Sequence, residues 1–272
     1  MMTEHSPKLP DFDDPPLQET ILSVVFDRMV EWKIAHYGAF GVTVRSDYPL
    51  VDTLPPLPPV PQNPSGPATV RISPADINLA RACFINNSGS MQIQLQNDRF
   101  LSTWARATPS DTYPRYSVIR PNFERQWNRF IEFLASQRLP KPSPRQCEIT
   151  YSNHIGSVPQ ADWSMFQSPE KIFAPWSGKQ TNNFLPKPSM VSVLAQYAFG
   201  HEGELTVALQ PVIRVSDQAK LVQLNLTARL PLPKNADTQT ILSRFDVGRE
   251  WIVRGFADIT TSEMQSIWKR KD

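Results

Sequence analysis

The stretch LVQLNLTARL, residues 221–230, contains the most regular alternation of apolar and polar side chains in the chain. The apolar side chains stand at every second position: Val222, Leu224, Leu226, Ala228 and Leu230. The polar side chains fill the positions between them: Gln223, Asn225, Thr227 and Arg229. Because successive side chains of a strand point to opposite faces, this period of two predicts a half-buried strand.

Two segments before this stretch predict further strands of the same sheet. They are VSVLAQYAF (191–199) and ELTVALQPVI (204–213), and both are rich in residues that favour strands. The short polar loops GHEG and SDQA separate the three segments and suit hairpin turns. The pattern therefore predicts three consecutive antiparallel strands.

A long helix and a short helix are predicted after the three strands. The segment TILSRFDVGREWIVRGFADI (240–259) carries apolar residues at helical spacing: Ile241, Phe245, Ile252 and Phe256. Thr260 and Glu263 match the capping box that often begins a helix, and this last helix should end near Trp268.

The first half of the chain mixes strands and helices in a different order. The strand candidates are ETILSVVF (19–26), MQIQLQ (91–96), RFLSTWAR (99–106) and QCEITYSNHI (146–155). The helix candidates are DRMVEWKIAHYG (27–38) and RPNFERQWNRFIEFLASQ (120–137). Asn97-Asp98 suits a tight turn between two strands, Gly38 suits the end of the first helix, and Pro121 suits the first turn of the second.

These elements predict an α+β fold. The sheet should be largely antiparallel, with long amphipathic helices packed on one face. The chain reads as two strand-then-helix halves, residues 1–156 and residues 157–272, which we expect to form one continuous domain.

A proline-rich segment interrupts the first half at residues 49–67. The chain has 27 prolines against 10 glycines, and eight of the prolines fall in this segment. Such a run favours an extended polyproline conformation and lacks N–H donors for a helix or sheet. We expect a semi-rigid connection; its P-x-x-P matches also allow the alternative of a peptide that docks in an aromatic groove.

The composition is that of a soluble globular protein. Charged residues make up 20% of the 272 residues, and the net charge of +2 provides no general attraction to nucleic acid or membranes. No apolar segment approaches the ~20 residues that span a bilayer, and the N-terminus lacks the apolar core of a secretory signal. Two cysteines are too few for a disulfide framework, so we predict a cytoplasmic protein.

The stretch RQCEITYSNHI (145–155) contains residue types that catalyse reactions in other proteins, but the strand pattern separates them. Cys147 and His154 would point to opposite faces and lie ~23 Å apart at ~3.3 Å per residue, too far for a nucleophile and its base. The four histidines lack metal-ligand spacing, and the common nucleotide-binding motifs are absent from the sequence. We therefore predict no catalytic residue, metal or cofactor, and whether the protein is an enzyme stays open.

Three segments in this order resemble a family of uncharacterised bacterial proteins with a sporadic distribution. They are DFDDPPLQETILSVVFD (11–27), EITYSNHI (148–155) and FDVGREWIVRGFADITTSEMQSIW (245–268). The matching residues of this chain are Pro15, Pro16, Glu19, Glu148, Tyr151, Asn153, Ile155, Phe256, Thr260 and Trp268. Asp14 departs from the pattern, which has Asn there. The resemblance implies an accessory role, for example in a defence or toxin–antitoxin-like system of two proteins.

The first functional hypothesis is a non-enzymatic protein that binds another protein. It rests on the polar face expected for the second-half sheet, formed by Gln196, Thr206, Gln210, Gln223, Asn225, Thr227 and Arg229. Ordinary solvent exposure of these side chains is the competing interpretation. A protein partner is expected, and a homodimer is the other assembly considered.

The second hypothesis is a small-molecule binding protein or enzyme with a cavity between helix and sheet. The residues expected to line it are Tyr151, Asn153, Tyr197, Trp251 and Phe256, with Asn153 fixing a polar group of the ligand. Packing of the aromatic residues in the core is the competing interpretation. Across both hypotheses the predicted binding residues are Tyr151, Asn153, Gln223, Asn225 and Arg229.

Overall fold

A computed structural model describes residues 8–58, 80–156, 168–179, 184–215 and 217–271. Over these ranges the chain is an α+β protein with a large antiparallel sheet and four helices. None of the helices in these ranges has the length and apolarity that crossing a lipid bilayer requires.

The elements alternate along the chain. The strands are β1 (Asp11–Phe12), β2 (Leu17–Phe26), β3 (Leu50–Leu54), β4 (Arg81–Ile85), β5 (Met91–Gln96), β6 (Arg99–Ala105), β7 (Pro144–Ile155), β8 (Val193–Ala198), β9 (Glu204–Ile213), β10 (Lys220–Pro231) and β11 (Arg270–Lys271). The helices are α1 (Ile34–Val44), α2 (Tyr116–Ser136), α3 (Thr238–Ile259) and α4 (Ser262–Ile267).

The chain divides into two compact units that interleave in sequence. The first unit comprises residues 1–20, 149–230 and 246–272, and the second comprises residues 21–148 and 231–245. The boundary at residue 156 predicted from the sequence stays a prediction.

In the first unit the strands neighbour one another in the order β7, β10, β9, β8. Strand β9 pairs antiparallel with both β10 and β8, which places Thr206 opposite Thr227 on one side and opposite Gln196 on the other. The apolar face of β10 is buried, and α3 covers this side of the sheet. Gly248 permits the close approach, because a Cβ there would stand 2.7 Å from the Ile149 Cγ2 atom.

In the second unit the strand order is β3, β4, β5, β6, β2, followed by the first residues of β7. Its core is aromatic. The ring of Phe130 on α2 lies 5.4 Å from Phe100, 5.8 Å from Phe40 and 6.2 Å from Phe26, measured between centroids. These rings join α1, α2 and the sheet in one buried cluster, and such pairs stabilise a core beyond the area that they bury.

Most of the predicted elements are confirmed, with bounds that differ by at most four residues. These are strands β2, β5, β6, β7, β8, β9 and β10 and helices α2 and α3. The alternation in β10 is confirmed in detail: its apolar residues are buried and the polar residues between them are half-buried. Helix α2 begins at Tyr116, so Pro121 lies inside the helix rather than in its first turn.

The prediction of a helix over residues 27–38 is wrong for residues 27–33 and for the position of the helix end. Helix α1 begins at Ile34 and continues through Gly38 to Val44. Met29 and Trp32 are buried although they precede the helix, and the Met29 N–H donates to the Asn97 carbonyl at 2.9 Å. The apolar residues of this irregular segment are therefore explained by tertiary contacts and not by a helix, although their spacing resembles that of a helix.

Two further predictions need correction. Thr261, and not Thr260, precedes α4 and accepts a hydrogen bond from the Met264 N–H, while Thr260 donates its hydroxyl to the Phe256 carbonyl at 2.6 Å. The proline-rich segment does enter the sheet at its start, because β3 pairs antiparallel with β4. The part of that segment from residue 59 to residue 67 lies outside the described residues.

Candidate functional site

The polar face predicted for the first unit is present, and its side chains bond mainly to one another. Gln223 accepts from the Gln210 amide at 2.8 Å and donates to the Ser152 hydroxyl at 3.3 Å. The hydroxyl groups of Thr150 and Thr227 lie 2.9 Å apart. These cross-strand contacts hold the polar side chains in fixed positions.

Arg229 closes one end of this polar face. Its guanidinium donates to the Thr206 hydroxyl at 3.0 Å and lies 3.5 Å from the Glu204 carboxylate. Glu204 is buried, so the ion pair is shielded from solvent on the carboxylate side. The charge of Arg229 is thus engaged within the unit.

Asn225 differs from its neighbours on this face. Its side-chain oxygen is buried and has no hydrogen-bond partner among the residues that the structure describes. A buried acceptor without a partner costs about 1–3 kcal/mol. Asn225 is therefore the predicted binding residue whose polar group is buried without compensation.

Three of the five residues expected to line a cavity lie in the core of the first unit. Tyr151, Asn153 and Phe256 are all buried. The Asn153 amide donates to the Leu224 carbonyl at 3.0 Å, and the Phe256 ring packs 5.4 Å from the Phe12 ring. The Asn153 side chain therefore satisfies a backbone group, and the Phe256 ring packs in the core.

The other two, Tyr197 and Trp251, line one cleft of about 330 Å³ between β8, β9 and α3. We call this opening the β8–α3 cleft. Its remaining lining residues are Leu205, Glu250, Arg254, Gly255, Asp258 and Ile259. Sequence reasoning missed these six, although Glu250, Arg254 and Asp258 stand at the i, i+4, i+8 spacing of one helical face.

The walls of the β8–α3 cleft are apolar and its rim is charged. The Trp251 ring stacks on Phe199 with 4.3 Å between centroids, and Gly255 brings α3 close to Leu205. On the rim, the Arg254 guanidinium donates to the Glu250 carboxylate at 2.8 Å, whereas Asp258 is exposed. Two acidic groups and one basic group leave the rim with one net negative charge.

Strand β8 borders this cleft and is the last strand in the order of the described sheet. The Phe199 N–H donates to the Gly203 carbonyl at 3.0 Å, which identifies the hydrogen-bonded pairs of the β8–β9 ladder. Tyr197, Ala195 and Val193 follow at alternate positions, so their backbone groups face β9. The N–H and C=O groups of Leu194, Gln196 and Ala198 therefore point away from β9.

A second cleft, of about 420 Å³, lies in the second unit between α1 and strands β3 and β4. Gly38 and Gly41 of α1 face it, together with Phe84, Val51 and Arg45. None of the residues singled out in the sequence as binding residues lines this cleft.

The structure places the Cys and His of the RQCEITYSNHI stretch in different surroundings. Cys147 is fully buried, and burial raises the pKa of its thiol, which keeps it protonated. Burial and the nearby Arg214 lower the pKa of His154, whose ring nitrogen lies 3.3 Å from the Gln223 amide. Within the described ranges, no group of three acidic, histidine or cysteine side chains is placed to hold a metal ion.

Comparison of the chain with protein-family models, curated proteins and solved structures gives no match.

Proposed function

We propose that the protein binds an extended segment of another polypeptide, which adds to the free edge of β8 and places side chains in the β8–α3 cleft. The observation that carries this proposal is that β8, the last strand of the sheet over the described ranges, lies directly beside an apolar cleft. Strand addition uses backbone hydrogen bonds for affinity and neighbouring pockets for specificity.

The sequence of β8 lacks the usual protection of an edge strand. Natural edges are commonly interrupted by charged residues, proline or bulges, which prevent pairing with other chains. The six residues of β8, VLAQYA, contain no charge and no proline. By contrast, edge strand β3 contains Asp52 and is followed at once by Pro55 and Pro56.

The β8–α3 cleft supports a definite kind of partner segment. Tyr197 points to the helix side of β8, so alternate side chains of an added strand would enter the cleft beside it. Leu205 and Trp251 favour an apolar side chain, and the acidic rim with exposed Asp258 favours a neighbouring Lys or Arg. The partner is therefore an extended segment with an apolar residue and a basic residue on the same face.

The polar face gives this partner a second place of contact. Gln196 lies on that face and also on the free edge, next to Thr206. The binding roles predicted for Gln223, Asn225 and Arg229 stay part of this proposal.

Selection from a random peptide library tests the proposal with a defined probe. We expect enriched peptides to combine alternating apolar residues with Lys or Arg. Gln196→Pro should weaken their binding at least tenfold, because it removes an outward N–H while leaving the β8–β9 ladder intact. Asp258→Lys should weaken it similarly, whereas the charge reversal Glu132→Lys, at an exposed position of α2, should change it less than twofold.

Thermal unfolding of each variant separates lost binding from lost folding. Ala195→Pro is the matched control for the proline change, since the Ala195 N–H faces β9 and its removal should lower the melting temperature. Peptides that bind Gln196→Pro as tightly as the unmodified protein would refute strand addition at β8.

A second candidate function follows from the walls of the same cleft. The Trp251 ring, which is held by stacking on Phe199, and the side chain of Tyr197 also suit a small apolar ligand. Native mass spectrometry of the gently purified protein should then show a few hundred daltons of retained mass. Trp251→Ala should remove that mass, and Gln196→Pro should leave it unchanged.

We further propose that the protein acts in a reducing compartment, as cytoplasmic accessory proteins do. Cys83 and Cys147 are both free and buried. This fits the accessory role implied by the resemblance to sporadically distributed bacterial proteins. The motif of the selected peptides can be used to identify the natural partner polypeptide. The identity of that partner would show whether the role is defence.

A further inference from the structure

Three buried polar side chains of the second unit form a hydrogen-bonded group, and two of them, Gln96 and Arg99, contact the proline-rich segment. They are Gln96 at the end of β5, Arg99 at the start of β6, and Asp98 in the turn between them. All three are buried, with at most 9% of any residue exposed, which is unusual for the end of a hairpin. We call them the Gln96 cradle.

Gln96 bonds to both backbone groups of Leu57. The Leu57 N–H donates to the Gln96 Oε1 atom at 2.8 Å, and the Gln96 Nε2 atom donates to the Leu57 carbonyl at 3.2 Å. A neighbouring strand would offer the same two groups, an acceptor for the Leu57 N–H and a donor for the Leu57 carbonyl. Leu57 has proline on both sides, so within residues 55–58 it carries the single backbone N–H.

Arg99 and Asp98 complete the Gln96 cradle. The Arg99 Nη2 atom donates to the Pro58 carbonyl at 2.7 Å, and its Nε atom donates to Asp98 at 3.1 Å. Asp98 also accepts from the Gln96 amide at 3.0 Å. The carboxylate therefore fixes both donors that contact the backbone, and charge-assisted bonds of this kind are strong.

The segment crosses the strands instead of running along one of them. Leu54 is opposite Arg81 on β4, and Ala82 on β4 is opposite Leu95 on β5. Gln96 therefore lies two strands away from Leu54, at the same height along the sheet. Two strand spacings amount to about 10 Å. Three residues in a polyproline helix rise about 9 Å, so the three steps from Leu54 to Leu57 cover about two strand spacings.

We propose that the Gln96 cradle is a binding site for extended peptides in which one residue with a free N–H stands between prolines, and that Pro56–Pro58 occupies it in cis. The features recognised are the N–H and C=O of that residue and the carbonyl of the next proline. The site is separate from the β8 edge, and its test does not depend on the function proposed above.

The test uses the full chain with Leu57→Pro, which removes the donor that Gln96 accepts from. Binding of two labelled peptides is measured by fluorescence anisotropy: Leu-Pro-Pro-Leu-Pro, the sequence of residues 54–58, and Leu-Pro-Pro-Pro-Pro, which lacks the central N–H. We expect the variant to bind the first peptide at least tenfold more tightly than the second. The unmodified protein, whose own segment occupies the site, should bind the first peptide at least tenfold more weakly than the variant.

Both peptides are compared on the same Leu57→Pro chain, so this comparison needs no substitution within the buried Gln96 cradle. Adding Gln96→Met, which is similar in size and has no amide, should abolish the preference for the first peptide. Equal affinities for the two peptides, or no binding to the Leu57→Pro chain, would overturn the proposal. Binding to the unmodified protein as tight as to the variant would overturn the cis occupancy.

Discussion

Asn153 is a residue at which a binding role and a structural role predict different results. Its amide donates to the Leu224 carbonyl at 3.0 Å within a buried face of the first unit. We expect Asn153→Ala to lower the free energy of unfolding by about 1–3 kcal/mol, because a buried carbonyl loses its partner. Urea unfolding measures this change.

Gln210→Ala is the matched control, since Gln210 is exposed and its loss should cost under about 0.5 kcal/mol. If Asn153→Ala leaves the stability unchanged and weakens peptide binding, the result would instead support a binding role for Asn153.

The two cysteines give a prediction for high pH. Burial raises the pKa of Cys83 from 9.0 to about 11 and raises that of Cys147 as well. Folding therefore favours the neutral thiols. The stability that they contribute is fully present below pH 9 and is lost as the pH rises through the folded pKa values.

Urea midpoints at pH 8 and pH 10 measure this loss. We expect a smaller decrease in the double variant Cys83→Ala, Cys147→Ala than in the unmodified protein. Equal decreases would show that other groups cause the pH dependence. In the native protein at pH 8 we also expect neither thiol to react with Ellman's reagent, and both to react in denaturant.

At the scale of elements, the packing of α3 on its sheet depends on a glycine. A Cβ at Gly248 would stand 2.7 Å from Ile149 and 2.9 Å from Leu230. We expect Gly248→Ala to destabilise the protein by about 1–3 kcal/mol, because the crowded core must shift.

Gly38 in α1 is the matched control, because nothing lies within 4 Å of an added Cβ there. Gly38→Ala should stabilise the protein by about 0.5–1 kcal/mol through higher helix propensity. Thermal unfolding measures both changes, and a loss of stability in both variants would contradict the packing argument.

The strands differ in how well the sequence predicted them, and the reason is exposure. Strand β10 has one buried face and one half-buried face, so its period of two is visible in the letters. Strand β3 has no buried residue and therefore no alternation to detect. Its pairing with β4 depends on residues that follow about 30 positions later, which local patterns do not register.

The candidate site shows the same limit. Tyr197 and Trp251 were expected to meet in a cavity and do line one cleft, whereas Tyr151 and Asn153 face the core. A strand pattern reveals which residues share a face, but not which face is covered. Asp258 and Leu205 join the cleft through tertiary structure, since they come from different elements.

At the scale of the whole molecule, neither compact unit is one continuous piece of chain. The second unit needs residues 231–245 in addition to residues 21–148, and the first draws on three separate segments. We expect the fragments 1–148 and 149–272 each to lack cooperative thermal unfolding when expressed alone. Mixing them should restore a cooperative transition. A cooperative transition in fragment 1–148 alone would contradict this expectation.

The pairing of β1 with β11 has a consequence for synthesis on the ribosome. Asp11 and Phe12 are made early, yet they pair with Lys271 and Arg270, and Phe12 packs on Phe256 and Trp268. The first unit therefore cannot close until residue 271 has emerged from the exit tunnel. Until then the uncharged strand β8 belongs to an incompletely folded unit. We therefore expect nascent chains of this protein to depend on a chaperone that shields β8.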